Sequence, residues 1–183
     1  MLSASGILRE QWGTSVADLR RILTGLTDEE FRWEPCADCW NVRRDTSAPS
    51  GWSMDYPDIV PDPPPVTTIA WRLLHITHGN WIYWEHSFGP GQRTFPDLPI
   101  YGAADAAIAD LIASQRPVTD ELTAITDVTL GRPVSTPRSV DAHGKQWPAT
   151  RVFLTLLKEQ VHHGAEISLL RDLYRNRETL NRD

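Results

Sequence analysis

The stretch TLLKEQVHHGAEISLLRDLYR, residues 155–175, decides how this chain folds. Wound into a helix, it continues a stripe through Val152, Leu156, Glu159, His163, Ile167, Leu170 and Tyr174. The steps are three or four residues, the period at which one face of a helix meets a core. Two members of the stripe are polar. Glu159 and His163 stand four residues apart, neighbours one turn along the same face. A carboxylate in an apolar stripe is costly unless a cation or a hydrogen-bond donor meets it. Inward-facing Glu and His at this spacing are a way in which helical bundles supply metal ligands. The same pair also occurs on solvated faces, so this helix alone leaves both readings open.

Working outward, three further stretches carry helical periodicity. One covers about residues 5–26, through Leu8, Trp12, Val16, Leu19 and Leu23. A short turn follows to about Glu34, announced by Thr27 and Glu30 in capping-box spacing. A second helix starts near Thr67 or Thr68 and stops before Gly89-Pro90. The third spans about 103–125, with a kink or break expected at Pro117. The helix quoted above runs from about Pro148, a residue tolerated at a first helical position, to Tyr174. No convincing strand run is present. A Pro-rich loop spans about 36–66, and Trp40, Trp52 and Tyr56 give it apolar anchors, so an ordered loop packed over the helices is expected. A second loop covers about 127–147, in which VDAHGK, residues 140–145, reads as a turn. The expected fold is all-α: one domain over residues 1–183, a four-helix bundle with a long ordered loop between its first and second long helices.

Composition narrows the function. The net charge is −6 and the only lysines are Lys145 and Lys158. Nucleic acid selects clustered Lys and Arg, so it is not expected as a partner. An acidic chain has no general attraction for an anionic membrane surface. No apolar run approaches the roughly 20 residues of a membrane span. The first residues lack a basic-then-apolar secretion pattern, so a cytoplasmic location is expected. Cys36 and Cys39 form a C-x2-C pair without a second metal-binding pair or a strand before it. They read as structural or incidental thiols in a reduced compartment.

In WRLLHITHGNWIYW, residues 71–84, His75 and His78 stand three apart among Trp71, Leu74, Trp81 and Ile82. Such a histidine is a hydrogen-bonded core residue or a ligand, and spacing does not choose between them. Two histidines and a carboxylate would leave a metal with open positions, as in catalytic sites. The blocks RWEPCADCWNVR (32–43), TTIAWRLLHITHGNWIYWEHSFG (67–89) and EQVHHGAEISLLRDLYR (159–175) together resemble the DinB-like (DinB/YfiT-like) superfamily of metal-binding bundle proteins. Relatives in that superfamily include mycothiol-dependent maleylpyruvate isomerase and bacillithiol S-transferases. The resemblance implies a four-helix bundle with a metal held by His75, Glu159 and His163. His78 and His162 are the competitors one register away.

The resemblance also implies a divalent metal, zinc or nickel foremost, and a low-molecular-weight thiol as cofactors. It implies a small-molecule substrate, S-transfer or isomerisation as the reaction, and a homodimer. Metal-dependent hydrolysis and a non-catalytic stress-response module are the competing readings. No nucleophile, general base or cofactor-binding residue is assigned. Glu166 beside the stripe is either a group that orients a histidine or a solvated partner for nearby arginines. His86 and His143 are given surface or loop roles. Trp33, Trp40, Trp71, Trp81, Trp84 and Trp147 are core residues or part of an apolar pocket wall.

Overall fold

The computed structural model describes residues 3–57, 59–135 and 146–180. It is mostly helical: α1 (Ala4–Leu23), α2 (Asp28–Phe31), α3 (Ile69–Ser87), α4 (Ala104–Ala124), α5 (Ala149–Arg175) and α6 (Arg177–Leu180). The segment 140–145 and His143 lie outside the described residues. Side-chain caps set the helix starts. Ser3 Oγ accepts the Gly6 N–H at 3.1 Å, and Thr68 Oγ1 accepts the Trp71 N–H at 3.3 Å. The first helix stops short of residue 26 because Gly25 adopts φ +71°, a left-handed conformation open to glycine.

The four long helices close on one another. Helix α3 packs against α4 and α5, and α1 packs against the same two. One apolar cluster gathers Leu19, Leu73, Leu111 and Ile167, and another gathers Trp12, Leu122, Val152 and Leu156. A polar ladder crosses the interior. Gln160 Nε2 donates to Ser15 Oγ at 2.7 Å, Gln115 Nε2 donates to Gln160 Oε1 at 2.8 Å, and Arg20 donates to Gln115 Oε1.

Three expectations need correction. Of the kink or break expected at Pro117, the break does not occur, and helix α4 runs from Ala104 to Ala124 through it. Proline removes one ladder bond, but Leu111, Gln115, Val118 and Leu122 are buried on both sides of it and hold the helix together. The expectation of no strands also fails. Strands β1 (Val42–Arg44) and β2 (Trp52–Met54) form an antiparallel hairpin inside the long loop, with Arg43 opposite Ser53. Strands β3 (Pro133–Val134) and β4 (Trp147–Pro148) pair across the second loop. Elements of two or three residues are too short to display a period-two pattern. Pro148 accordingly caps α5 from the strand rather than opening the helix.

The third correction bears on the site. Between Leu156 and Ile167 the buried positions of α5 are Gln160 and Gly164. Glu159 and His163 sit one residue round the helix, half-buried on the side that faces α3. The site therefore occupies the edge of the α3–α5 contact rather than the axis of the helices.

The short helix α2 is tied to α5 by a buried ion pair. Thr27 Oγ1 accepts the Glu30 N–H at 3.2 Å, which is half of the anticipated capping box. The Glu30 carboxylate does not return to the cap. It receives Arg171 Nε at 2.7 Å and Nη2 at 3.1 Å, with both side chains 5% exposed. Removing one partner strands the other charge, so Arg171→Met is expected to cost about 3–5 kcal/mol in urea unfolding. Adding Glu30→Leu to that variant should restore most of the loss.

Candidate metal centre

His75 comes from the middle of α3, and Glu159 and His163 come from the middle of α5. One ligand atom from each of the three lies within 4.8 Å of the other two. His163 Nε2 is 3.1 Å from Glu159 Oε2, and His75 Nε2 is 3.6 Å from the same oxygen. The two imidazole rings meet edge to face, with centroids 4.9 Å apart.

The other nitrogen of His163 decides the electrostatics. Its Nδ1 lies 2.5 Å from Glu166 Oε2, a separation that requires a shared proton. The Nδ1–H therefore donates to Glu166, and Nε2 carries a lone pair. Arg72 also donates to the same Glu166 oxygen. In this tautomer the 3.2 Å approach of Arg72 to His163 Nδ1 places two donors together and is not a bond between them. Glu166 is thus an arginine's partner and a histidine's orienter at once.

This arrangement tests whether a cation fits. The Nε2 lone pair of His163 faces a carboxylate oxygen, and two acceptors at 3.1 Å repel unless a proton or a metal lies between them. Burial lowers the pKa of His163, against the raising pull of Glu166 and Glu159. A proton is thereby disfavoured on that imidazole. His75, with Lys158 assisting against burial, holds the Glu159 carboxyl down at about 2. The cluster presents two imidazoles and one ionised carboxylate, a donor set that suits zinc, nickel, iron or manganese.

The register competitors fall elsewhere. His78 is buried, and its Nε2 lies 3.2 Å from the Pro99 carbonyl, which it serves as a hydrogen-bond donor. Burial lowers its pKa and keeps the ring neutral. His162 points outward, 63% exposed, with Nε2 3.4 Å from Glu166 Oε1. It forms a second cluster with His163 and Glu166. That cluster uses the nitrogen of His163 and the carboxylate already engaged with each other and with Arg72. His86 Nε2 meets the Arg93 carbonyl at 2.8 Å and has a loop role.

Sequence reasoning had Trp71 among many tryptophans and passed over Arg72. Trp71 stacks on His75, centroids 4.9 Å apart and planes 10° from parallel. Tyr56 from the long loop stacks on Trp71 at 5.8 Å, and Trp40 leans against both. Trp71 Nε1 donates to the Asp55 carbonyl at 2.7 Å. The four-residue step from Trp71 to His75 is the signal that places them on one face. Trp81 and Trp147 belong elsewhere, bonded to Asp110 and stacked on Tyr83. Surface clefts of about 480 and 620 Å³ lie beside Trp12 and Trp52, and neither is lined by the three ligand candidates.

The family model described as the DinB superfamily matches residues 11–167. The chain belongs to that superfamily. No curated protein and no solved structure gives a significant match.

Partners that orient a ligating histidine are worth about 10–100-fold in metal affinity. Glu166→Gln, which keeps size but weakens acceptance from Nδ1–H, should lose affinity within that range in a competition titration with a chromogenic chelator. Its helical circular dichroism should stay unchanged.

Proposed function

We propose that this chain is a metal-dependent enzyme in which His75, Glu159 and His163 hold a divalent cation, zinc or nickel foremost. The setting is the α3–α5 edge of a four-helix bundle of DinB/YfiT-like type, formed by the whole chain as one domain. The observation that carries this reading is the pair of facing acceptors, His163 Nε2 and Glu159 Oε2. Three protein ligands leave positions open on the ion.

When bound, such an ion lowers the pKa of a thiol or water that takes an open position. The chain's own side chains set the surroundings. Glu166 and Arg72 hold the His163 ring and its tautomer. Trp71 covers one face of His75. Lys158 Nζ, 2.9 Å from Glu159 Oε1, offsets part of the carboxylate charge. Tyr56, largely exposed, extends the aromatic wall into solvent where a small substrate's apolar part would rest. Together with the resemblance to thiol-dependent members of the superfamily, this is the basis for proposing thiol-dependent S-transfer or isomerisation of a small molecule; a cytoplasmic homodimer is proposed on the resemblance and the composition alone.

A metal-binding module without turnover is the second reading. The shallow setting favours it, since His75 and Glu159 are 32% and 27% exposed and neither described cleft encloses them.

Purified protein should carry stoichiometric metal by mass spectrometry, and His163→Ala should not; equal content in the two would overturn the site. A cobalt-substituted sample should change its visible absorption when a small thiol is added. An unchanged spectrum across several thiols would leave the module standing. Protons compete with the metal for imidazole nitrogen, so affinity falls as pH drops through the histidine range, near 6.5 for an ordinary ring. Glu159 stays ionised down to about 2 and contributes nothing to that fall. The low pKa of His163 displaces its share of the loss to lower pH.

A further inference from the structure

Cys36 and Cys39 lie between α2 and β1, outside the cluster of candidate ligands. Spacing alone leaves them as structural or incidental thiols. The structure adds that their sulfurs are in contact, with Sγ atoms 3.5 Å apart. Cys39 Sγ–H donates to the Cys36 carbonyl at 3.1 Å, folding the segment back on itself. Asp38 takes φ +59° between them, a left-handed turn that Asp tolerates better than most residues and that brings position 39 over position 36.

The two thiols are unequal. Cys36 is exposed, whereas Cys39 is 1% exposed, and burial pushes its thiol up to about 11. A dissolved reagent therefore meets Cys36 first. The buried member is anchored: Arg43 Nη2 donates to the Cys39 carbonyl at 2.8 Å. The adjoining Trp40 exchanges backbone bonds with Val66 and Thr68. A disulfide needs the sulfurs at about 2 Å, and the exposed Cys36 side chain is the one with room to turn toward its buried partner.

We propose that Cys36 and Cys39 form a dithiol–disulfide site that exchanges with low-molecular-weight disulfides. Cys36 gives its proton to solvent, and its thiolate attacks one sulfur of the small disulfide. A mixed disulfide forms at Cys36, the small S–S bond breaks, and one small thiol leaves. Cys39 then loses its proton to solvent and attacks the Cys36 sulfur, expelling the second small thiol. The protein dithiol is oxidised by two electrons, and the small disulfide is reduced to two thiols. Neither step uses the metal centre.

The test is incubation of the full chain with oxidised glutathione, read by intact mass and by thiol titration in denaturant. Wild type should go from two free thiols to none, with the mass falling only by two hydrogens, and dithiothreitol should restore both. Cys39→Ser should stall with one glutathione attached at Cys36. Cys36→Ser should stay unmodified, because its remaining thiol is buried. A wild-type chain that keeps both thiols, stops at the glutathione adduct, or links to a second chain would overturn the proposal. So would a Cys36→Ser variant that reacts as fast as wild type.

Discussion

One oxygen of Glu159 facing one nitrogen of His163 is the constraint on which the site depends. Both groups lie on α5 four residues apart, so the helix period alone brings them together. Their electrostatic sense comes from the far side of the imidazole. The short bond to Glu166 puts the proton on Nδ1 and turns Nε2 into an acceptor. Arg72, reaching over from α3, donates to the same Glu166 oxygen and holds that side chain in place. The α3–α5 contact therefore supplies His75 and the lock on His163 in one packing event.

The long loop has a structural part in that arrangement. A loop of this length orders only if contacts offset its chain entropy. Here Thr68 Oγ1 donates to Asn41 Oδ1 at 2.9 Å, and Asp55 receives both the Asn41 N–H and Arg43 Nε. The Asp55 carbonyl then takes the Trp71 indole, and Tyr56 closes on the ring face. The chain of contacts ends on His75. Gly102 belongs to the same packing, since a Cβ there would overlap the Trp52 ring of the hairpin.

Polar groups in the interior set the alignment of the helices. In the ladder from Ser15 through Gln160 to Gln115, Gln160 has both its amide atoms satisfied in this register. Sliding α5 by one residue would leave a buried amide without partners, at about 1–3 kcal/mol. The Glu30–Arg171 pair acts likewise at the other end of α5. These contacts fix which residues of α5 look toward α3. The apolar positions alone tolerate small slips.

The four long helices were legible in the sequence because each carries a stripe of apolar residues at helical period, and some have a cap or breaker at an end, as Thr68 and Gly89-Pro90 do for α3. So was the pairing of Glu159 with His163, which the helix geometry dictates over a single turn. The choice of His75 over His78 was not, since both lie within one turn of α3 and differ only in which neighbour they meet. Tertiary structure decides only which ring meets the α5 pair: His78 packs under the Pro99 carbonyl and His75 turns toward Glu159. The fate of Glu30, the continuity of α4 through Pro117 and the contact of the two cysteine sulfurs were equally hidden. Each depends on a partner far away in the chain or on a backbone turn of one residue. Periodicity reports which face of an element is apolar, and it carries no information about what that face will touch.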